Sequence, residues 1–179
     1  MSILVLALIT KDDHKHIGDI LKWYINNGVC NICIVDLGST DNTIQIINDI
    51  FSSHNVNGKL IINNFINFTI AYNHLLTACV SLFPDSKFIL QLHDSYDVLM
   101  GINILVEFCH NNIEETNKYY HIRKLNYNNA WYNNLAALYR FCDNMNHYVG
   151  RQFPYIEDFG STSQVSQDIC FCNMEDLGG

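Results

Sequence analysis

Carboxylates recur in this chain at the ends of apolar runs. Asp12 and Asp13 follow Ile3–Thr10 (ILVLALIT), Asp36 closes Val29–Asp36, and Asp94 with Asp97 follow Phe88–Leu92. Grouped carboxylates offer oxygen ligands to a hard divalent cation, and such a cation can also hold phosphate oxygens. The chemistry these residues suit is therefore the holding of a nucleotide, in part through a metal ion. The densest stretch is Ile32-Cys33-Ile34-Val35-Asp36-Leu37-Gly38-Ser39-Thr40-Asp41-Asn42-Thr43. An apolar run ends in a carboxylate, a glycine allows a sharp turn, and Ser39, Thr40 or Asp41 can cap a following helix.

For these groups to meet, the elements carrying them must share an edge. Ile3–Thr10 reads as a strand buried on both faces. Asp12 or Asp13 is expected to start a helix whose Ile17, Ile20, Leu21, Tyr24 and Ile25 form one apolar face, stopped at Asn26-Asn27-Gly28. A strand to Asp36 follows, then a helix carrying Ile44, Ile47 and Phe51 with Ile46 and Ile50 beside them. Lys59–Asn63 reads as a third strand, Thr69–Leu82 as a third helix, and Phe88–Leu92 as a fourth strand. Strand–helix alternation with crossovers of this length implies α/β architecture with a mainly parallel sheet. In such a sheet the carboxyl ends of all strands open on one edge, where ligands bind.

Beyond Gly101 the pattern loosens. Ile102–Phe108 reads as a helix and Tyr119–Leu125 as a strand, while Trp131–Cys142 fits either, with the alternation of Leu135, Ala137, Tyr139 and Phe141 favouring a strand. His147–Tyr155 is a further candidate strand, and the chain after Gly160 reads as polar and irregular.

With 179 residues, 49% hydrophobic and 16% charged, the chain suits a single packed domain over 1–179. A net charge of −8 argues against nucleic acid or an anionic membrane as partner. The seven cysteines are odd in number, and Cys170-Phe171-Cys172 lacks zinc spacing. Met1–Thr10 has no basic leader region and no cleavage site. These features point to a reducing, cytoplasmic setting, and no run reaches the length of a transmembrane helix.

The first hundred residues resemble glycosyltransferase family 2, of the GT-A fold. That pattern has a strand ending in Thr or Asn, an acidic start to the first helix, and Asp-x-Gly-Ser-x-Asp-x-Thr. Ile3–Thr10, Asp12/Asp13 and Asp36–Thr43 match it. Phe68–Asn73 resembles the family's Ala-Arg-Asn element with Tyr72 in place of Arg, and Ile89–Leu99 resembles the strand leading into Asp-x-Asp. The resemblance implies a GT-A (Rossmann-like) fold, with residues 1–100 as the nucleotide-sugar-binding half and 101–179 as a shortened acceptor half, and a nucleotide-sugar donor, with a UDP-sugar as first choice. Thr10, Asp13 and Asp36 would face base and ribose, with Asp12 the alternative to Asp13, and Ser39 and Asn73 would complete the donor set. Asp94 would lie nearest a Mn²⁺ or Mg²⁺ ion, joined by Asp97 and by His93, whose imidazole suits Mn²⁺. The second aspartate of Asp-x-Asp is Tyr96 here, so the metal element is altered.

The same resemblance extends more faintly to Tyr120–Asn126 and Leu135–Arg140, with Trp131 placed to stack on a sugar. Inverting transfer of the sugar to a hydroxyl of a glycan, lipid or protein acceptor needs a carboxylate base. Glu157-Asp158 supplies the pair; neighbours on a strand face opposite ways, so one serves, and Glu157 is the first choice. His147 and Arg151 are candidates for diphosphate or acceptor contacts. Tyr96 and the short second half also suit a non-catalytic relative that holds nucleotide or glycan. An unrelated doubly wound protein is the third reading.

Overall fold

The computed structural model of the chain describes residues 2–92, 97–114, 119–125, 131–140, 148–149, 155–156, 163–164 and 170–173. Strand β1 (Leu4–Thr10) is apolar and buried along almost its whole length. Helix α1 (Ile17–Asn26) buries Ile17, Ile20, Leu21 and Tyr24, the spacing of one helical face. Then come β2 (Asn31–Asp36), α2 (Thr43–Ser53), β3 (Asn57–Ile62), α3 (Phe68–Leu82) and β4 (Phe88–Gln91). β2 and β4 both pair parallel with β1, and β3 pairs parallel with β2, so alternation of strand and helix has produced the expected parallel sheet.

Side chains alternate across the sheet and build two cores. Leu4, Leu6 and Leu8 of β1 join Ile32 and Ile34 of β2 under α1 and α2. Val5 and Ala7 join Cys33 and Val35 under Ala71, Leu75, Leu76 and Cys79 of α3. Burying each Leu or Ile side chain is worth about 1.5–3 kcal/mol, so these two faces carry much of the stability. α3 is set by its cap: Asn67 accepts the Ile70 amide at 2.9 Å.

The second half extends the same sheet. Its elements are β5 (Asp97–Met100), α4 (Ile102–Asn111), β6 (Tyr119–Leu125), β7 (Trp131–Arg140), β8 (Tyr148–Val149), β9 (Tyr155–Ile156), β10 (Ser163–Gln164) and β11 (Cys170–Asn173). The order is β3-β2-β1-β4-β7-β6-β11-β5 with β10 beside β6, nine strands among the described residues. β7 runs antiparallel to both β4 and β6, so the sheet is mixed from there on. Tyr24 of α1 ties the halves together, its hydroxyl donating to the Asp97 carbonyl at 3.2 Å.

The structure corrects several expectations. α1 begins at Ile17, not at Asp12 or Asp13, because residues 12–16 form turns held by the neighbouring loop. The chain after Gly160 is not irregular throughout: Ser163–Gln164 pairs with β6, and Cys170–Asn173 fills the place between β6 and β5. A strand of four residues is too short to show a period on its own. β4 stops at Gln91, one residue short of the expected end, and Asp97–Met100 forms a further strand, antiparallel to β11, that the sequence reading did not name. Of His147–Tyr155, the described portions are two short strands, β8 and β9, paired with each other.

Candidate active site

The carboxyl ends of β1 and β2 lie side by side, with Thr10 opposite Asp36 in register and the Leu37 amide donating to the Thr10 carbonyl at 2.9 Å. By alternation both side chains emerge on the face covered by α1 and α2. Asp36 is fully buried. Its Oδ1 accepts the amides of Gly38 at 3.0 Å and Ser39 at 2.8 Å, and its Oδ2 accepts the Ser39 hydroxyl at 2.5 Å. This closed turn needs Gly38, which adopts φ +83° with the Asn63 carbonyl about 3.9 Å from where a Cβ would stand.

The loop after β1 is clasped to the loop after β2. Asp12 donates its amide to Ser39 Oγ at 2.8 Å and accepts the Thr40 amide at 2.6 Å. The clasp holds Asp12 at φ +49°, a conformation uncommon for a residue other than glycine. The Asp13 amide donates to the buried Thr43 hydroxyl at 2.7 Å. Asp41 accepts the Thr43 amide at 2.9 Å and stands 2.6 Å from His14 Nδ1. Partial desolvation pushes the Asp41 carboxyl upward, but the donors from Thr43 and His14 outweigh it and hold the group well below the usual carboxylate range. Asp41 thus satisfies the first turn of α2 from just ahead of the helix, where sequence reading had left Ser39, Thr40 and Asp41 as equal candidates.

Among the described residues, two polar atoms at this edge are buried without a hydrogen-bond partner: Thr10 Oγ1 and Asp13 Oδ2. The other Asp13 oxygen lies 3.1 Å from His16 Nδ1. An unmet buried acceptor or hydroxyl costs about 1–3 kcal/mol, and a ligand that supplies the missing partner recovers it. His16 is the residue of this cluster that sequence reading missed. Its place three residues after Asp13, on a turn and not on a helix, depends on the clasp.

Of the expected donor residues, the structure brings together Thr10, Asp12, Asp13, Asp36 and Ser39. Asn73 lies on α3, which packs on the other face of the sheet. Its neighbour His74 is 3.1 Å from the side-chain amide of Asn63, which links α3 to the loop beside Gly38. Asp97 is buried at the start of β5. His93, Asp94, Tyr96, His147, Arg151, Glu157 and Asp158 lie outside the described residues. Among the described residues no three His, Cys, Asp or Glu side chains gather as metal ligands would.

No protein-family model matches the chain, and no curated protein matches it either. Solved structures do. Residues 1–349 of S. aureus TarS align with a TM-score of 0.50 and 20% identity, over 70% of this chain and 37% of that one. The likeness is one of fold. A second TarS structure aligns with a TM-score of 0.49 and 19% identity, over 70% of this chain and 21% of its own. The chain spans well under half the length of these relatives. Its α/β architecture, a mainly parallel sheet flanked by helices, is GT-A-like, as the sequence resemblance implied. No helix among the described residues is long and apolar enough to cross a membrane.

Proposed function

We propose that this chain binds a nucleotide-sugar donor, a UDP-sugar first, where β1 and β2 end, and transfers the sugar with inversion to a hydroxyl of a glycan, lipid or protein acceptor. The observation that carries this reading is the pair of buried, partnerless atoms, Thr10 Oγ1 and Asp13 Oδ2, beside the Asp36 turn. A carboxylate oxygen there accepts an N–H or ribose O–H, and the threonine hydroxyl can donate to a base carbonyl. Asp36 is fully buried and already accepts three hydrogen bonds, so it holds the turn; Thr10 Oγ1 and Asp13 Oδ2 are buried as well but have unmet capacity, and they meet a ligand once the chain over this edge shifts.

In the transfer step Glu157, with Asp158 as the alternative, takes the proton of the acceptor hydroxyl. The acceptor oxygen bonds to the anomeric carbon from the side opposite the diphosphate. The bond from that carbon to the phosphate oxygen breaks, and its electron pair leaves with the diphosphate. Oxygen donors suit Mn²⁺ or Mg²⁺, and Asp94 and Asp97, with His93, are the residues that would hold one. Bound there, such an ion would offset charge on the leaving diphosphate.

The test is turnover. Incubation with UDP-sugars and Mn²⁺ should release UDP, and Glu157→Gln should abolish release while donor binding persists. Retained turnover in that variant removes Glu157 as base. Tyr96, standing where the pattern has its second aspartate, favours one rival, a domain that binds the nucleotide without turnover. Donor binding with no UDP release under any metal would establish that rival.

A further inference from the structure

β3 closes one end of the sheet and, among the described residues, pairs with β2 alone. Its ladder has a definite phase. The amide of Asn57 donates to the Cys30 carbonyl and that of Asn63 to the Asp36 carbonyl, each at 2.8 Å. Backbone groups alternate along a strand, so Asn57, Lys59 and Ile61 face β2, while Gly58, Leu60 and Ile62 direct N–H and C=O to the open side. The edge is only lightly protected among the described residues: β3 has no proline, and its single charge is Lys59.

The surface running on from this edge is apolar. Ile62 is 61% exposed and Ile66 67%, with Phe65, Phe68 and Ile70 also exposed. Phe65 and Phe68 stack edge to face at 5.1 Å. From Leu60 to Pro84 the sequence contains no Asp, Glu, Lys or Arg. Two such patches can approach without the like-charge repulsion that a net charge of −8 imposes elsewhere.

We propose that the β3 edge is a homodimer interface, formed by antiparallel pairing of β3 with β3 of a second copy about a two-fold axis at Leu60. That axis sets Leu60 against Leu60 and Ile62 against Gly58 of the other copy, both as hydrogen-bonded pairs. Lys59 then meets Ile61 and not another Lys59, so the strand's one charge avoids its own image. Side chains agree with this register. Leu60 and Phe51 pack on the same core, and a Cβ on Gly58 would come within 2.4 Å of the Phe51 ring. Gly58 therefore leaves the half-buried Phe51 ring open to the incoming Ile62. The self-complementary contact is what a closed two-fold dimer requires. It is independent of sugar transfer.

The test joins mass to backbone exchange on the full chain. Light scattering from about 1 to about 100 µM should show a species of twice 20.6 kDa that dissociates on dilution. Hydrogen exchange should slow at least about tenfold at Leu60 and Ile62 in the dimer, with Lys59 and Ile61 protected at every concentration. Ile62→Lys, at an exposed site that the monomer tolerates, should give one chain's mass throughout. A wild-type monomer at all concentrations overturns the proposal, and so does a dimer whose Leu60 and Ile62 amides exchange freely. A monomer that takes up detergent or lipid at Phe65 and Phe68 also overturns it, and reassigns the patch to an apolar ligand.

Discussion

Asp12 and Ser39 stand 27 positions apart in the chain, and the amide of the first donates to the hydroxyl of the second at 2.8 Å. The same hydroxyl donates to Asp36 Oδ2. Ser39 is thus the link between the loop that follows β1 and the turn that follows β2. Much of the Asp36–Thr43 motif serves to lock these two loops, and the lock fixes where Thr10 and Asp13 stand.

Asp36→Ala removes an acceptor of three hydrogen bonds from a buried turn. The amides of Gly38 and Ser39 lose their partner, so stability should fall by about 2–4 kcal/mol. Urea denaturation reads this directly. A loss under about 0.5 kcal/mol, the size expected of an ordinary surface change, would show that the turn does not depend on the carboxylate.

Thr10→Val tests the partnerless hydroxyl from the other side. Valine keeps the shape of threonine and removes a buried polar atom that has no partner. The free protein should be unchanged or more stable by up to about 1 kcal/mol, in contrast to most substitutions of buried residues. A clear loss of stability would mean that Oγ1 has a partner in solution.

Asp41 gives the pH dependence its sign. Its folded pKa lies below the ordinary carboxyl value of 3.8, so it releases its proton more readily folded than unfolded. Its contribution to stability is complete above that value and is lost as pH falls below it. Wild type should therefore lose more stability than Asp41→Asn when both are titrated from neutral pH into the acid range. Parallel curves for the two proteins would contradict the hydrogen bonds from Thr43 and His14.

Gly58→Ala should cost about 1–3 kcal/mol, since the new Cβ would press on the Phe51 ring at 2.4 Å. Phe51→Leu should relieve much of that cost in the double variant. A double-mutant cycle measures the coupling, and strict additivity would show that the ring moves aside freely.

The first half of the fold was legible because each element carries its own period. Ile3–Thr10 is a continuous apolar run, and Ile17, Ile20, Leu21 and Tyr24 mark one helical face. The late start of α1 was not legible, since a helix from Asp12 competes with hydrogen bonds to Ser39, Thr40 and Thr43 that come from 27 to 30 residues away. β11 was not legible for a similar reason. Four residues, Cys170–Asn173, become a strand only because β5 and β6 leave a space between them. Asp13 and Asp36 could be nominated from their places at strand ends, and Thr10 from the family resemblance. That Asp36 is enclosed while Asp13 keeps an unmet oxygen depends on the closed turn, and the turn exists only in three dimensions.

Calorimetric titration of UDP, with GDP, CDP and TDP alongside and Mn²⁺ present and absent, tests the central claim most directly. Wild type should bind one nucleotide, and Thr10→Val and Asp13→Ala, both folded, should bind it about 10- to 100-fold more weakly, or about 1.4–2.8 kcal/mol. Equal affinity in wild type and both variants would contradict the account, as would the failure of wild type to bind any of the four.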